Sequence, residues 1–494
     1  MSENHPGGYL KYERKPIGKR SPSERIHDYD EVWKPKWEVD HLKEQGERCM
    51  DCGVPTCMGG CPIGNIIPDW NDLVHHGDWK EALNRLHATN NFPEFTGYIC
   101  PAPCENACVL SINDNPVTIK SIERSIVDKG WEMGWIKPEP PKSRTGFNVA
   151  IIGSGPAGLA AAQQLNRVGH LVTVFERDDT PGGLMTYGIP DFKFSKKQVK
   201  RRIDQLTEEG VHFMTNAEIG VNIPFERIYE DFDAVLLAIG AQKHRDIPVD
   251  GRDLEGVHFA MDYLINANRR QADREVDNVI DAKDKNVVVL GGGDTGADCV
   301  ATAHRQGAKQ VVQISINPKR SLERDIHNPW PEQPLIYKKT YAIEEGGEQE
   351  FSINTLEFLD INNDGKVDHL GAEHVEWTYD ENGSRVDKKV LDPDMKIPAD
   401  LVLIAIGFSG AESKVFKKSG LKTKKGKFRA NKKMMTNMPG VFAAGDARRG
   451  QSLIVWAIGE GRDAARRIDE FLMGSSNLPA SLQSNNPPVD KLQK

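Results

Sequence analysis

Two stretches of the chain share one pattern of hydrophobic and polar positions. In "FNVAIIGSGPAGLAAAQQLNRVGHLVTVFER" (147–177), a short β-branched run leads into glycines, an alanine-rich segment and a second apolar run. The stretch "KNVVVLGGGDTGADCVATAHRQGAKQVVQISI" (285–316) repeats this order. Each predicts strand, glycine turn, helix and strand. Strands that alternate with helices predict an α/β fold with parallel, doubly wound sheets.

Outside these stretches the chain has a different composition and hydrophobic pattern. Residues 46–135 contain helix-like stretches such as "NDLVHHGDWKEALNRLHATN", and "IKPEPPKSRTG" (136–146) is a proline-rich linker. Residues 1–45 are polar, which favours a solvated tail, with an arm that docks on a partner as the alternative. The polar residues 476–494 predict disorder.

Composition and charge narrow the function classes. The chain has 494 residues, enough for roughly three domains, and a net charge of −8. No basic excess is available to neutralise phosphates, so no nucleic-acid partner is expected. The sequence has no run of about 18 apolar residues, so no membrane span is expected. The N-terminus lacks the apolar core of a secretory signal, which predicts a cytoplasmic protein.

The first glycine loop, "GSGPAG" (153–158), has the spacing of a dinucleotide-binding turn. Gly153 permits the tight turn, Gly155 lets backbone approach a pyrophosphate, and Gly158 lets the helix pack on the strand. Glu176 ends the next strand, where a carboxylate can accept hydrogen bonds from a ribose. This order predicts a dinucleotide site, with a chance glycine turn as the alternative.

The second glycine loop, "GGGDTG" (291–296), lacks the acid that normally follows. Gln313 and Ser315 stand in its place, and Lys319, Arg320 and Arg324 come next. Without a carboxylate a 2′-phosphate is not repelled, and nearby cations can pair with it. The pattern predicts NADP rather than NAD, unless these cations merely solvate a loop.

A third signature is "VFAAGDARRG" (441–450). Asp446 follows a β-run and can bond a ribityl hydroxyl or a hydrated phosphate edge. We expect it to open the helix "SLIVWAIGEGRDAARRIDEFL" (452–472), whose N-terminal dipole can stabilise negative charge on a reduced flavin. The strand-like runs "DAVLLAIGAQ" and "ADLVLIAIGFS" both contain Ala-Ile-Gly. Each predicts a strand that ends where the chain passes from one domain to the other.

Together these features resemble the flavoproteins with two dinucleotide-binding domains, over about residues 146–470. The resemblance implies FAD on the first loop and a nicotinamide nucleotide on the second, with the NAD(P) domain inserted in the FAD domain. No CxxC pair follows the first loop, so a disulfide reductase is not expected. The FAD-binding candidates are Gly153, Gly155, Pro156, Ala157, Gly158, Glu176, Arg177, Gly183, Leu184, Gly445 and Asp446. The NADPH-binding candidates are Gly291, Gly293, Asp294, Thr295, Gly296, Lys319, Arg320 and Arg324.

Seven of the eight cysteines lie between Cys49 and Cys108, spaced C-x2-C-x4-C-x3-C-P and then C-x3-C-x3-C. Clustered cysteines in a reducing compartment more often bind metal than form disulfides. A zinc site, the alternative, takes four ligands and would leave three of the seven cysteines unassigned. Closely spaced thiolates with a Cys-Pro ending are typical of proteins with two cubane clusters. The spacing predicts two [4Fe–4S] clusters that share seven cysteines and need one further ligand.

The whole chain also resembles the small (β) subunits of bacterial-type glutamate synthase, and the N-terminal half of dihydropyrimidine dehydrogenase. Matching stretches include "GERCMDCGVPTCMGGCPIGNIIPDWNDLV", "GYICPAPCENACVL", "LGGGDTGADCV", "NPWP" and "FAAGDARRGQSLIVWAI". The resemblance implies one cluster on Cys49, Cys52, Cys57 and Cys108. It implies the other on Cys61, Cys100, Cys104 and Glu123, although Glu123 in "SIERS" also fits an ordinary helix carboxylate.

The resemblance implies an electron-input role. NADPH would reduce FAD, and the clusters would pass electrons to a large (α) subunit that makes L-glutamate from L-glutamine and 2-oxoglutarate. No acid–base catalytic residue is predicted, because the cofactors carry the chemistry. Electron input to another acceptor, as in a ferredoxin:NADP oxidoreductase, is the alternative. The intact nucleotide loops argue against a non-catalytic interaction protein.

These predictions divide the chain into five segments. They are a helical iron–sulfur domain (1–140), the first part of an FAD domain (141–280), an inserted NADP domain (281–395), the second part of the FAD domain (396–475) and a disordered tail (476–494).

Overall fold

The computed structural model describes residues 7–34, 38–381, 384–412, 416 and 418–481. Residues 482–494, most of the predicted disordered tail, lie outside the described residues. The beginning of that tail is packed rather than disordered. Leu478 is buried in the core, and the backbone N–H of Ser481 donates to Asp463 at 2.9 Å. A single leucine anchors a segment whose overall composition is polar.

Short helices joined by cysteine-bearing turns form the first part of the chain. The helix-like stretch 71–90 is divided at Gly77, whose φ of +88° ends one helix before the next begins. The helices are α1 (Gly8–Lys11), α2 (Pro22–Arg25), α3 (Val39–Glu47), α4 (Thr56–Gly60), α5 (Ile67–His76), α6 (Trp79–Thr89), α7 (Pro93–Ile99), α8 (Pro103–Asn106), a 3₁₀ turn (Val109–Ile112) and α9 (Ile119–Glu132).

Strands and helices alternate in the rest of the chain. The strands are β1 (Asn148–Ile152), β2 (Leu171–Phe175), β3 (His212–Met214), β4 (Ala234–Leu237), β5 (Lys243–His244), β6 (Val257–Phe259), β7 (Asn286–Leu290), β8 (Gln310–Ser315), β9 (Glu348–Phe351), β10 (Ile353–Leu359), β11 (His369–Tyr379), β12 (Arg385–Pro398), β13 (Leu401–Ile404), β14 (Phe408–Gly410), β15 (Thr423–Lys424), β16 (Lys427–Phe428) and β17 (Val441–Ala443). The helices are α10 (Pro156–Arg167), α11 (Leu184–Tyr187), α12 (Lys196–Glu208), α13 (Phe225–Asp231), α14 (Ala260–Gln271), α15 (Asp294–Arg305), α16 (Tyr341–Glu345), α17 (Asp446–Arg449) and α18 (Ile454–Met473).

Two parallel five-stranded sheets organise this part of the chain. The first has the order β17-β4-β1-β2-β3 and the second β6-β13-β7-β8-β9. All strands of the second sheet lie in sequence between β4 and β17 of the first, so the second domain is inserted in the first. This confirms the predicted fold class. The second sheet runs from Val257 to Ile404, wider than the predicted segment 281–395, and the exact domain limits stay a prediction.

A hairpin extends the inserted domain. Strands β10, β11 and β12 form an antiparallel sheet, in which Leu370 lies opposite Ile397 and Tyr379 opposite Arg385. The C-terminal end of β11 lies next to the end of β8. There Trp377 donates from Nε1 to the carbonyl oxygen of Ile316 at 2.9 Å. Residues far apart in sequence therefore meet at the carboxyl edge of the second sheet.

The cysteine-bearing helices and the first sheet share one hydrophobic core. Ile63, in the turn after α4, and Phe95 on α7 belong to the same buried cluster as Ile151 on β1 and Leu159 on α10. Helix α18 packs directly on α10, because a Cβ added to Gly461 would lie 2.1 Å from the carbonyl oxygen of Ala157. This shared core fixes the cysteines against the first glycine loop.

The described part of the N-terminal segment packs on its own chain, so the interpretation as a solvated tail is wrong for residues 7–34. The N–H of Val32 donates to the carbonyl oxygen of Phe192 at 2.7 Å. The fully buried Arg25 donates from Nε to Glu345 Oε1 at 2.6 Å. Composition indicated exposure, whereas buried partners in other domains neutralise the charge.

Candidate functional site

The first glycine loop combines one strained turn with one open position. Gly153 has a φ of +102°, and a Cβ there would lie 2.5 Å from the carbonyl oxygen of Ala238. A Cβ added to Gly155 would meet no atom within 4 Å, so this position leaves space in front of the loop. A Cβ on Gly158 would lie 2.0 Å from the carbonyl oxygen of Gly153. The loop is therefore closed behind and open in front, as a cradle for a ligand requires.

A cavity of about 890 Å³ lies in front of this loop. Its volume suits a large ligand such as a dinucleotide. Gly158 and Gly445 lie behind its wall, where they pack on Gly153 and Ala157. The other first-domain candidates line the cavity: Gly153, Gly155, Pro156, Ala157, Glu176, Arg177, Gly183, Leu184 and Asp446.

Glu176 and Arg177 form the wall of this cavity at the end of β2. Glu176 Oε2 accepts from the Ser154 N–H at 3.1 Å and from the Ser154 hydroxyl. Each carboxylate oxygen has two acceptor sites, so Glu176 can still accept from a ribose hydroxyl. Arg177 donates to Glu412 Oε2 at 2.7 Å and to the side chain of Gln242. Both side chains are therefore held in place by neighbours.

Asp446 lies at the cavity wall, but it does not open the long helix as predicted. It begins the one-turn helix α17, and Gly450 with a φ of +92° ends that turn before α18 begins at Ile454. Burial raises the pKa of Asp446 to about 7. The hydroxyl of Ser452 donates to its carboxylate at 2.8 Å, which lowers the pKa but does not offset the effect of burial. The glycine allows a change of chain direction that apolar periodicity alone did not reveal.

The second glycine loop faces a second cavity, of about 630 Å³. Gly291, Gly293, Asp294 and Thr295 line it, whereas a Cβ on Gly296 would lie 2.4 Å from the carbonyl oxygen of Gly291. Gln313, at the position where an acid was absent, donates from Nε2 to the same carbonyl oxygen at 2.9 Å. The amide therefore ties the strand to the loop.

The two cavities adjoin. They share the lining residues Met261, Asp294, Thr295 and Phe408. A ligand on the second loop can therefore approach a ligand on the first. This common wall comes from α14, the N-terminus of α15 and β14, so only the packing of the two domains creates it.

A buried ion pair, which no sequence pattern indicated, joins the domains near this wall. Lys193 Nζ lies 2.8 Å from Asp298 Oδ1, and the hydroxyl of Tyr341 donates to the same oxygen at 2.7 Å. Lys193 follows α11 in the first domain and Asp298 lies on α15 in the second, and both line the first cavity. The lysine had no signal in sequence because its partner is 105 residues away.

The predicted phosphate-binding cations do not line the second cavity, so their assignment stays a prediction. Lys319 Nζ lies 4.7 Å from the ring centroid of Tyr337, and Arg320 is exposed. Arg324 donates to the carbonyl oxygens of Asn328 and Glu332. The loop that follows β8 folds back on itself, so closeness in sequence to the strand end did not place these cations at the cavity.

Arg385, which sequence reasoning missed, lines the second cavity instead. It donates to Asn317 Oδ1 at 2.6 Å, just after the end of β8. Its guanidinium lies 5.1 Å from the ring centroid of Trp377. The sequence carried no signal for this position, because Arg385 reaches the strand end through the hairpin.

The structure brings the seven clustered cysteines together in two sets. Cys49, Cys52, Cys57 and Cys108 surround one small cavity, and Cys108 joins this set because α8 packs on α4. Cys61, Cys100 and Cys104 surround a second cavity together with Glu123. These are the sets that the resemblance implied. Cys299 is buried in α15, apart from both.

Glu123 has the environment of a ligand rather than of a surface carboxylate. It is 5 % exposed, and burial raises its pKa to about 7. Thr96, Asn90 and Asn65 donate to Oε1 at 2.7, 3.1 and 3.4 Å. Since all three bonds use Oε1, Oε2 can serve a metal. The hydrogen bonds orient the carboxylate at the cavity that the three thiols share.

The chemistry of the buried thiols suits bound metal. Burial raises the pKa of Cys57 and of Cys100 to about 12, so a thiolate there needs the positive charge of bound metal. Among the described residues, no three His, Cys, Asp or Glu side chains converge closely enough to hold one metal ion.

Two sequence families match the chain. Residues 25–135 match the family described as dihydropyrimidine dehydrogenase domain II, 4Fe-4S cluster. Residues 147–332 and 350–461 match the pyridine nucleotide-disulphide oxidoreductases. The first match contains all seven clustered cysteines and Glu123, and the second contains both glycine loops.

Curated relatives match along nearly the whole chain. The glutamate synthase [NADPH] small chain of Mycobacterium tuberculosis is 51% identical, covering 98% of this chain and 99% of its own. That of Bacillus subtilis is 52% identical, covering 96% of this chain and 99% of its own. The chain belongs to the glutamate synthase small-chain family. In this chain, the two cysteine sets and the two glycine loops lie within the stretch that the relatives match.

Solved structures agree with the fold of this chain. FprA from Mycobacterium tuberculosis, solved in complex with NADPH, has a TM-score of 0.52 at 19% identity, covering 66% of this chain and 85% of its own. That likeness supports the two-domain α/β fold alone. Among the described residues, no helix is long and apolar enough to cross a membrane.

Proposed function

We propose that this chain is the electron-input subunit of a glutamate synthase. It oxidises NADPH, uses FAD and two [4Fe–4S] clusters, and delivers electrons to a large chain that makes L-glutamate from L-glutamine and 2-oxoglutarate. Family membership and the matched iron–sulfur and oxidoreductase families support this proposal. The partner follows from the name "small chain" of its relatives, and a cytoplasmic location goes with this role.

The order of the sites is the observation that carries the proposal. The cavity on the first loop shares Asp294 and Thr295 with the second cavity. At the helical domain it is lined by Ile99 and Pro101, the two neighbours of Cys100. One cavity therefore reaches from the second glycine loop to the two sequence neighbours of Cys100 in the second set.

The cysteine sets continue this order toward the surface. Ile119 lines both of their cavities, so the two sets adjoin. Cys61, Cys100 and Cys104 are buried, whereas Cys49 and Cys52 are partly exposed. The set with Cys49 and Cys52 is therefore the better exit to a partner.

Each part of the chain has a defined task in this scheme. When bound, FAD accepts hydride from NADPH and releases single electrons, which the clusters carry onward. The glycine loops hold the two nucleotides, and the shared wall brings their reacting ends together. Met261 and Phe408 supply apolar surface at the shared wall, which keeps water away from the transfer. Glu123 and the seven cysteines hold the clusters.

The test is an anaerobic reconstitution with the large chain of the same organism. The holo-protein alone should be bleached by NADPH in its flavin and iron–sulfur absorption, without forming glutamate. Addition of the large chain, glutamine and 2-oxoglutarate should yield glutamate in proportion to NADPH consumed. Reduction of a ferredoxin at a comparable rate, with no glutamate formed, would favour the alternative acceptor instead.

A further inference from the structure

We propose that Arg385 reads the 2′-phosphate of NADPH, in place of the cations that follow β8 in sequence. This inference rests on the proposed function, because it assigns part of the second cavity to NADPH. In a parallel dinucleotide-binding sheet, the residues at the end of the second strand meet the adenosine ribose. That position here is the segment Ser315–Asn317, which lines the second cavity with Arg385.

The hairpin fixes Arg385 at this position through three contacts. Trp377 Nε1 donates to the carbonyl oxygen of Ile316 at 2.9 Å, which docks β11 on the end of β8. Arg385 donates to Asn317 Oδ1 at 2.6 Å, and its guanidinium lies over the ring of Trp377 at 5.1 Å. The side chain is exposed, so a ligand can reach it.

The chemistry of the guanidinium suits a phosphate. Its planar fork presents five N–H donors, and the bond to Asn317 uses one of them. The remaining donors can form a two-point contact with a phosphate, which a lysine cannot match. Asp294 is the one carboxylate among the described residues that line this cavity, and it belongs to the glycine loop rather than to the strand end.

The position along the cavity also distinguishes Arg385 from the other arginine that lines it. Arg245 donates from Nε to the carbonyl oxygen of Phe408, a residue of the wall that the two cavities share. Arg385 instead donates to Asn317, which lines the second cavity but not the wall that the two cavities share. A nucleotide whose nicotinamide lies at the shared wall would thus place its adenosine ribose toward Arg385.

Binding of two fragments isolates this contact. Adenosine 2′,5′-bisphosphate carries the 2′-phosphate and 5′-AMP lacks it, so their affinities for the full-length protein can be compared by calorimetry. The variant R385Q should weaken binding of the bisphosphate about tenfold to a hundredfold, as expected for loss of a charge-assisted hydrogen bond. Binding of 5′-AMP should change less than about twofold, because the loop contacts remain.

Arg320→Gln tests the competing assignment, since it removes the same charge from an exposed arginine that follows β8 but does not line the cavity. R320Q should bind both fragments like the wild type. An unchanged bisphosphate affinity in R385Q, or an equal loss in R320Q, would overturn the proposal while leaving the electron-input function intact. A wild-type protein that binds the bisphosphate no tighter than 5′-AMP would overturn the proposal together with the choice of NADPH.

A second variant covers the case in which R385Q binds neither fragment. R385K keeps the charge and loses the fork. With 5′-AMP affinity retained, a weaker bisphosphate affinity in R385K supports the proposal, and an unchanged one overturns it.

Discussion

Arg25 near the N-terminus and Glu345 in the inserted domain form a buried ion pair, with Nε and Oε1 2.6 Å apart. The other carboxylate oxygen of Glu345 lies 2.6 Å from Arg305. Arg25 also donates to the carbonyl oxygen of Tyr341 at 2.7 Å. Residues 7–34 are therefore a strap that ties the inserted domain to the rest of the chain.

Removal of this strap contact should destabilise the inserted domain. The variant R25A leaves Glu345 Oε1 with only the 3.2 Å hydrogen bond from Arg305 and removes a donor from the carbonyl oxygen of Tyr341, which we expect to cost about 2 kcal/mol. Hydrogen exchange of the amides in α16 and the urea midpoint would measure the loss. The exposed pair of Lys11 and Glu47 provides a control, since K11A should change both readings little. Equal effects of the two variants would contradict this prediction.

His87, on α6, should make the stability of the fold sensitive to acid. Burial, reinforced by Arg202, lowers the pKa of His87 to about 3, and Arg202 donates to His87 Nε2 at 3.2 Å. The folded protein therefore binds fewer protons at His87 than the unfolded chain, so its contribution is complete above about pH 6.5 and is lost as the pH falls toward 3. Between pH 6.5 and 5 the loss should be about 1 to 2 kcal/mol.

The variant H87Q tests this source of acid sensitivity. Glutamine can still accept from Arg202 but does not titrate in this range. The thermal midpoint of H87Q should fall less than that of the wild type between pH 7 and pH 5. Parallel curves for the two proteins would assign the acid sensitivity to other groups.

Two glycines of the first loop should respond differently to alanine. G155A places its Cβ in open space, at a φ of −66° that any residue can adopt, so the fold should survive. The methyl group would occupy the approach of the pyrophosphate, and FAD affinity should fall at least about tenfold. G158A meets a carbonyl oxygen at 2.0 Å and should lower stability itself. Flavin titration with circular dichroism separates the two effects.

Iron content should report the two cysteine sets independently. C57S and C104S each remove one thiol from a different set, so each should lower iron by about four atoms per chain from about eight. C299S changes a buried cysteine outside both sets and should leave iron unchanged. The measurement is iron and sulfide analysis after anaerobic purification. Complete loss of iron in either variant would mean that the sets do not form independently.

Local patterns in the sequence predicted the parts of the site that depend on local backbone. Each glycine loop is encoded by six consecutive residues. The tight turn and the close packing of helix on strand require glycine there, independently of the rest of the chain. The thiol spacing predicted iron–sulfur ligation for the same reason. The alternation of strands and helices predicted the parallel sheets, and the resemblance to flavoproteins with two dinucleotide-binding domains implied the inserted domain that the sheet order confirms.

By itself, then, the sequence determined the fold class, the two glycine loops and the crowded thiols, because each is encoded by neighbours along the chain. Only the tertiary structure decided what meets across distance. In the folded chain, Cys108 lies in the same set as Cys49, and Arg385 rather than Lys319 lines the second cavity. Arg25 is buried against Glu345. Those contacts depend on how helices, hairpin and strap pack together, and packing selects partners by shape and charge rather than by closeness in sequence.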